Sequence, residues 1–263
     1  MEKSFYPRDT LEQAIHNWWL IVLLMLLGGG AGLLFSLSRP PLYDAKAVFT
    51  TSIYSTETSQ MTDVEVDQAI GIVGDIISST DVMTQVLQKA KSAGVSSDVT
   101  ALNAMASIDR KNYQWEIHII NRNPNTAVLI TNLWADVAVN SVNDAFQHAL
   151  LARDYQRYLD SLESCLEKSV AVQPAQSICN RSNLANIQSE LAKTGVLFKQ
   201  EKQASQGLLP IVLVSLSQKA QQPSGPALFG RNQCVFSGAM IGFLLAFWAI
   251  YLNLPDRLRG RTQ

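Results

Sequence analysis

Charged side chains are scarce in this chain, and in two stretches they are missing altogether. Asp, Glu, Lys and Arg make up 16% of the residues, against roughly 25% in soluble domains. None falls within Trp18–Leu37 or Cys234–Leu254. At about 1.5 Å rise per residue each run gives roughly 30 Å of helix, the thickness of a bilayer's hydrocarbon core. A charge at the middle of such a helix would cost about 2.5–3.5 kcal/mol, so its absence from both predicts two membrane spans. Histidine and cysteine are equally sparse, at three each. The spacing of His16, His118 and His148 matches no metal-ligand motif, and no G-x-S-x-G elbow, H-E-x-x-H pair or phosphate-binding glycine loop occurs. These absences argue against hydrolytic, metal-dependent and nucleotide-dependent chemistry: no catalytic residue, cofactor or metal site is expected. A net charge of −1 argues against a nucleic-acid partner.

Two spans place everything between them on one side of the membrane and both tails on the other. The tail Pro255–Gln263 carries Arg257, Arg259 and Arg261 against Asp256 alone, and basic residues this close to a span stay cytoplasmic. The N-terminal tail adds little, because Lys3 and Arg8 are offset by Glu2, Asp9 and Glu12. Trp18, Trp19, Trp248 and Tyr251 then fall at the inner interface, where amphipathic rings settle. A cleaved signal peptide is the alternative for the first run, but the run is too long and no small-x-small site precedes Arg39. Gly28 and Gly32, and likewise Gly238 and Gly242, set small residues four apart on one helical face, which predicts packing between the two spans. Thr10-Leu11-Glu12-Gln13 has capping-box form, so the first helix is expected to start before the membrane and lay Leu11, Ile15 and Trp18 along its inner surface.

Arg39-Pro40-Pro41 ends the first span, since proline cannot continue a helix. Tyr43–Tyr54 alternates as a half-buried strand, with Ala45, Ala47, Phe49 and Thr51 on one face. A helix is predicted over Asp63–Ser79, another opening at Asp81 and ending at Gly94, and a strand pair within Ala106–Asn121 in which Trp115, Ile117 and Ile119 alternate with Glu116 and His118. Asn123-Pro124 then starts a helix, with asparagine as cap and proline at the first turn. Apolar residues from Ile130 through Trp134, Val142, Phe146, Tyr155 and Leu162 to Leu166 keep a three-and-four spacing with no breaker before Pro174. That is some 70 Å of helix. Leu184, Ile187, Leu191, Thr194 and Phe198 repeat in the same way, as the seam of a returning helix. Leu208–Leu216 reads as a buried strand, and Pro223 and Pro226 lead back to the membrane.

The expected class is therefore α+β: two transmembrane helices flanking an extracytoplasmic, membrane-proximal α+β domain with a long protruding helical hairpin. The expected segments are a cytoplasmic tail 1–17, a span 18–37, the outer domain 38–233 with its hairpin at about 124–206, a span 234–254 and a cytoplasmic tail 255–263. Cys165 and Cys179 lie on either side of Pro174. Two antiparallel helices joined there bring them together as a disulfide, and two unlinked thiols fit the sequence equally well. Asp63, Glu65 and Asp67 read as a solvated first helical turn, His118 as an exposed strand residue, His148 as a polar-face helix residue, and Asn180-Arg181-Ser182 as a chance glycosylation match.

Several local stretches carry a resemblance. Trp18-Trp19 enters the first span and Pro41-Leu42-Tyr43-Asp44-Ala45-Lys46-Ala47 leaves it. Ile77-Ser78-Ser79-Thr80-Asp81-Val82 joins the first two outer helices, Asn123-Pro124-Asn125-Thr126-Ala127 with Asn132 opens the long helix, and Pro223 and Pro226 precede a glycine-containing second span. Together these resemble the chain-length determinant (Wzz), or polysaccharide co-polymerase, family of bacterial surface-polysaccharide export, in its short form without a fused kinase. The resemblance runs nearly end to end, by layout more than identity in the middle. It implies a non-enzymatic homo-oligomer of the bacterial plasma membrane. Its partners would be a polysaccharide polymerase and the growing glycan, and it would set the chain length of an O-antigen, capsule or exopolysaccharide. Where the family uses a tyrosine autokinase, here it would be a separate cytoplasmic chain meeting the Arg-rich tail or the segment before Trp18. The alternatives are an adaptor or activator of such a kinase, and a solute-sensing membrane receptor that would signal through partners because its tails are short.

Overall fold

A computed structural model of the chain describes residues 17–54, 61–95, 98–171 and 184–251. It combines helix and sheet, with the chain divided between two compact units. The described part of the first unit comprises residues 17–44, 120–124 and 223–251. Helix α1 (Trp18–Ser38) and the last described helix, Arg231–Tyr251, belong to it. Among the described residues three helical stretches are long and apolar enough to cross a membrane: Trp18–Ser38, Asp63–Ser92 and Arg231–Ile250. They differ in what they bury. Helix α1 has no buried residue, whereas Asp63–Ser92 is two helices of the second unit whose apolar faces lie in its core.

That second unit is built on a four-stranded sheet. After β1 (Tyr43–Ile53) come α2 (Asp63–Ile77), α3 (Thr80–Ser92) and α4 (Val99–Met105), then β2 (Ala106–Lys111) and β3 (Gln114–Asn121). The 48-residue α5 (Pro124–Ala171), α6 (Leu184–Ala204) and β4 (Val212–Gln218) complete it, and α7 (Arg231–Tyr251) is the last of the described elements. The strand order is β2-β3-β1-β4, with β2 and β3 antiparallel and β1 and β4 antiparallel. The β2–β3 turn is closed by Asn112, whose φ of 54° lies in the left-handed region that asparagine tolerates.

Local chemistry explains the boundaries. Thr62 caps α2 in a reciprocal box with Glu65: the Glu65 N–H donates to Thr62 Oγ1 at 3.3 Å and the Thr62 N–H to Glu65 Oε2 at 2.7 Å. Ser79 Oγ accepts from the Val82 N–H at the start of α3, and Gly94, at φ 83°, ends it. The core gathers Ala45, Ala47 and Phe49 from β1 with Val73 and Ile77 from α2, Val86 from α3 and Ile117 from β3, all closed off by α5. Trp134 of α5 is 1% exposed and donates its indole N–H to the Ile77 carbonyl at 3.0 Å. This satisfies the one polar atom that a buried indole brings with it.

One expectation is corrected here, and one element is new. The last strand is Val212–Gln218 rather than Leu208–Leu216, and only its first residue is buried. Leu208 and Ile211 are buried as well, but within the turn that precedes the strand. Helix α4, capped by Asp98 accepting from the Ala101 N–H at 2.6 Å, was not expected at all.

Candidate functional site

Within the first unit, α1 and α7 meet backbone to backbone. A Cβ placed on Gly28 would fall on the carbonyl oxygen of Gly238, and one on Gly238 would fall on that of Gly28. A Cβ on Gly32 would strike the Cys234 carbonyl, and one on Gly242 the Leu24 carbonyl. No side chain fits at these four positions, whereas Gly30 of the same helix faces open space. The far ends of the pair are also tied. Leu42 and Leu228 form an antiparallel bridge: the Leu42 N–H donates to the Leu228 carbonyl at 3.0 Å and the Ala227 N–H to the Leu42 carbonyl at 2.8 Å. Beside the bridge, Phe229 takes a φ of 58° and sets its ring edge-on to Phe35, centroids 6.0 Å apart. Pro223 and Pro226 lie in the irregular, bent stretch leading to this junction, where a Cβ on Gly230 would come 3.0 Å from the Pro226 ring.

In the second unit the long helix finds its returning partner. Ile187, Leu191, Thr194, Phe198 and Glu201 recur along α6 at alternating spacings of four and three, with Ile187 and Thr194 buried and the others half-buried. The seam has a polar edge: a His148 ring nitrogen and Glu201 Oε2 share a hydrogen bond, and Tyr158 donates its hydroxyl to Glu190 Oε2 at 2.9 Å. Cys165, near the end of α5, is disulfide-bonded. Cys179, Pro174, Asn180-Arg181-Ser182, His16, the Thr10-Leu11-Glu12-Gln13 stretch and the arginine-bearing tail lie outside the described residues. Cys234 is a free thiol.

An ionic cluster on the sheet was not anticipated. Glu116 sits on β3 only 4% exposed, although simple alternation assigns it to the solvent face. It does point away from the core, but three cationic or polar side chains close over it. Lys46 of β1 reaches Oε1 at 3.1 Å, Lys111 of β2 reaches Oε2 at 2.7 Å, and the His118 ring lies 3.3 Å from Oε2. The hydrogen bond from Lys111, with those from Lys46 and His118, outweighs the cost of burial and pulls the carboxyl down to about 2. His118, expected to be exposed, is half-buried in this cluster. Asp67 is likewise more than a solvated carboxylate, because Arg110 Nη2 binds it at 2.6 Å while its guanidinium stands 5.8 Å from the centre of the Trp115 ring. Among the described residues no group of three or more His, Cys, Asp or Glu side chains is placed to hold a metal.

No family model matches the sequence, and no curated protein matches it. Solved structures do. A full-length bacterial polysaccharide co-polymerase aligns with 96% of this chain and 98% of its own, at 9% identity and a TM-score of 0.35. The wild-type Shigella flexneri lipopolysaccharide O-antigen chain-length regulator aligns with 70% of this chain and 99% of its own, at 8% identity and a TM-score of 0.19. The periplasmic domain of a chimeric chain-length regulator covers 69% of this chain at 10% identity and a TM-score of 0.17. The chain resembles the polysaccharide co-polymerases.

Proposed function

We propose that this chain is a non-catalytic polysaccharide co-polymerase that sets the length of a bacterial surface polysaccharide during its polymerisation and export. The observation that carries the reading is the 48-residue helix opened at Pro124, in a chain whose apolar helices α1 and α7 pack through glycine. Compact folding does not need a helix of about 70 Å. A scaffold that presents a long lateral surface to other copies of itself does. Val196 and Leu197 on α6 and Leu151 on α5 support that use, because they remain 57%, 41% and 45% exposed along the hairpin.

Two spans, α1 and α7, anchor it. Asp63–Ser92 is not a third, since it is interrupted at Ser78-Ser79 and buries Ala69, Ile70, Val73, Ile76 and Val86 in the core of its own unit. The arginines of the C-terminal tail favour a cytoplasmic tail and an extracytoplasmic sheet and hairpin. A bridge between Cys165 and Cys179 is part of this reading and suits the oxidising side of a membrane. The four glycines Gly28, Gly32, Gly238 and Gly242 act as the packing surface of the spans.

Deleting the gene and sizing the surface glycan on a gel tests the function. The modal chain length should change while sugar composition stays the same. An unaltered length distribution would rule the proposal out.

A further inference from the structure

Where α6 gives way to the turn before β4, it and α5 leave a pocket of about 310 Å³. Its floor is apolar: Ala152 and Leu208 are 7% and 3% exposed. Its rim is cationic. Arg153 and Arg157 come from α5 and Lys202 from α6, with Gln156 between the two arginines. The wall beyond Lys202 is a turn that needs Gly207 at φ 83°, and buried Ser205 fixes it by donating to the Lys202 carbonyl at 2.9 Å.

The protein leaves these cations poorly matched. Arg153 Nε is shut off from solvent and makes no hydrogen bond, with Asp154 Oδ1 standing 3.9 Å away. Arg157 has no hydrogen bond or ion pair among the described residues. Lys202 stands over the Phe198 ring, 5.6 Å from its centre. The neighbouring acid, Glu201, is occupied by His148, and Asp160 accepts from the Gln156 amide. A guanidinium N–H removed from water without an acceptor is unfavourable, and a planar donor fork fits a carboxylate. An apolar floor with a few convergent polar groups is the usual anatomy of a small-ligand site, and this volume lies near the lower end of the roughly 300–1,000 Å³ that such sites span.

We propose that this pocket binds an acidic saccharide, a sugar unit bearing a carboxylate. Arg153 and Arg157 hold the carboxylate, and Ala152 and Leu208 lie beneath the C–H face of the ring. The assignment deepens the co-polymerase reading and rests on it, since that reading brings a glycan to the hairpin.

Calorimetric titration of the full-length protein in detergent micelles tests it, with tetragalacturonate as the probe and maltotetraose and inorganic phosphate as comparisons. Tetragalacturonate should bind saturably, and both comparisons should bind at least roughly tenfold more weakly. Arg153→Gln should weaken the acidic probe by about tenfold, and so should Arg157→Gln, whose exposed side chain leaves folding untouched. Equal affinity for maltotetraose or for phosphate would overturn the proposal, as would unchanged binding by Arg157→Gln. The two readings fail separately. A deletion that alters glycan length, with no binding of tetragalacturonate, removes the pocket alone. Binding without any effect of the deletion removes the co-polymerase reading.

Discussion

The side chain of Asn132 grips the peptide group of Ala220 from both sides. Its Nδ2 donates to the Ala220 carbonyl at 3.1 Å, and its Oδ1 accepts from the Ala220 N–H at 2.9 Å. A residue early in the long helix thus holds the strand-exit segment at a point where Ala220 is itself buried. Asn132→Ala leaves a buried N–H and carbonyl without partners and should cost about 1–3 kcal/mol. Asn132→Asp keeps the acceptor but sets a carboxylate oxygen against the Ala220 carbonyl, and should cost at least as much. Thermal unfolding in detergent micelles orders the three proteins, and an unchanged Tm for the alanine variant would refute the tie.

Gly28→Ala forces a methyl group onto the Gly238 carbonyl, so α1 and α7 must part. A loss of about 1–3 kcal/mol is expected. Gly30→Ala meets open space and should be neutral or stabilising by up to about 1 kcal/mol, because alanine is the better helix former. Melting temperatures of the two variants check the contrast.

Gly74→Ala makes the same argument inside the sheet unit, where the indole of Trp115 lies against the glycine. The added methyl would displace a ring wedged among packed neighbours, and a loss of about 1–3 kcal/mol should appear in the denaturant midpoint.

Glu116 supplies a pH dependence. Its carboxyl is drawn down from an ordinary 4.5 to about 2, so its ion pairs stabilise the fold fully above about pH 4.5, and that stability is lost as pH falls toward 2. Glu116→Gln should therefore lower stability at pH 7 by on the order of 2 kcal/mol, a figure kept modest because Lys111 is exposed to solvent screening. The gap between variant and wild type should close as pH approaches 2. Paired melting curves from pH 7 down to pH 2 measure it.

The proposed bridge between Cys165 and Cys179 leaves Cys234 as the free thiol, so one thiol per chain should react with an alkylating probe under denaturing, non-reducing conditions. Cys165→Ser should release Cys179 for labelling and abolish the shift in gel mobility on reduction. Labelling of all three cysteines in the wild type would exclude the bridge.

The helices were legible because their apolar residues repeat on a single face: Ile130 to Leu166 on α5 and Ile187 to Phe198 on α6 carry a signal that needs no knowledge of partners. The glycines of α1 and α7 stand out in the sequence as pairs four residues apart on one helical face. Strand β4 was not. The apolar run beginning at Leu208 drew the strand toward it, whereas the paired segment extends through Ser215 and Ser217 to Gln218, where Ser217 and Thr50 share a hydrogen bond at 2.6 Å. Helix α4 has seven residues, too few for periodicity, and the Asp98 cap was its only sign. The Glu116 cluster depends on Lys46, which lies 70 positions away, and the cationic pocket depends on Lys202 facing Arg153. Such pairings arise only once distant strands and helices are in register, and no single stretch of sequence announces them.

The main-chain bridge between Leu42 and Leu228 has a mechanical corollary for an anchored protein. With glycine contacts along their length and three backbone hydrogen bonds at one end, α1 and α7 cannot lean independently. In a bilayer thinner than their apolar length they must tilt together as one rod, and the residues flanking the bridge must swing with them.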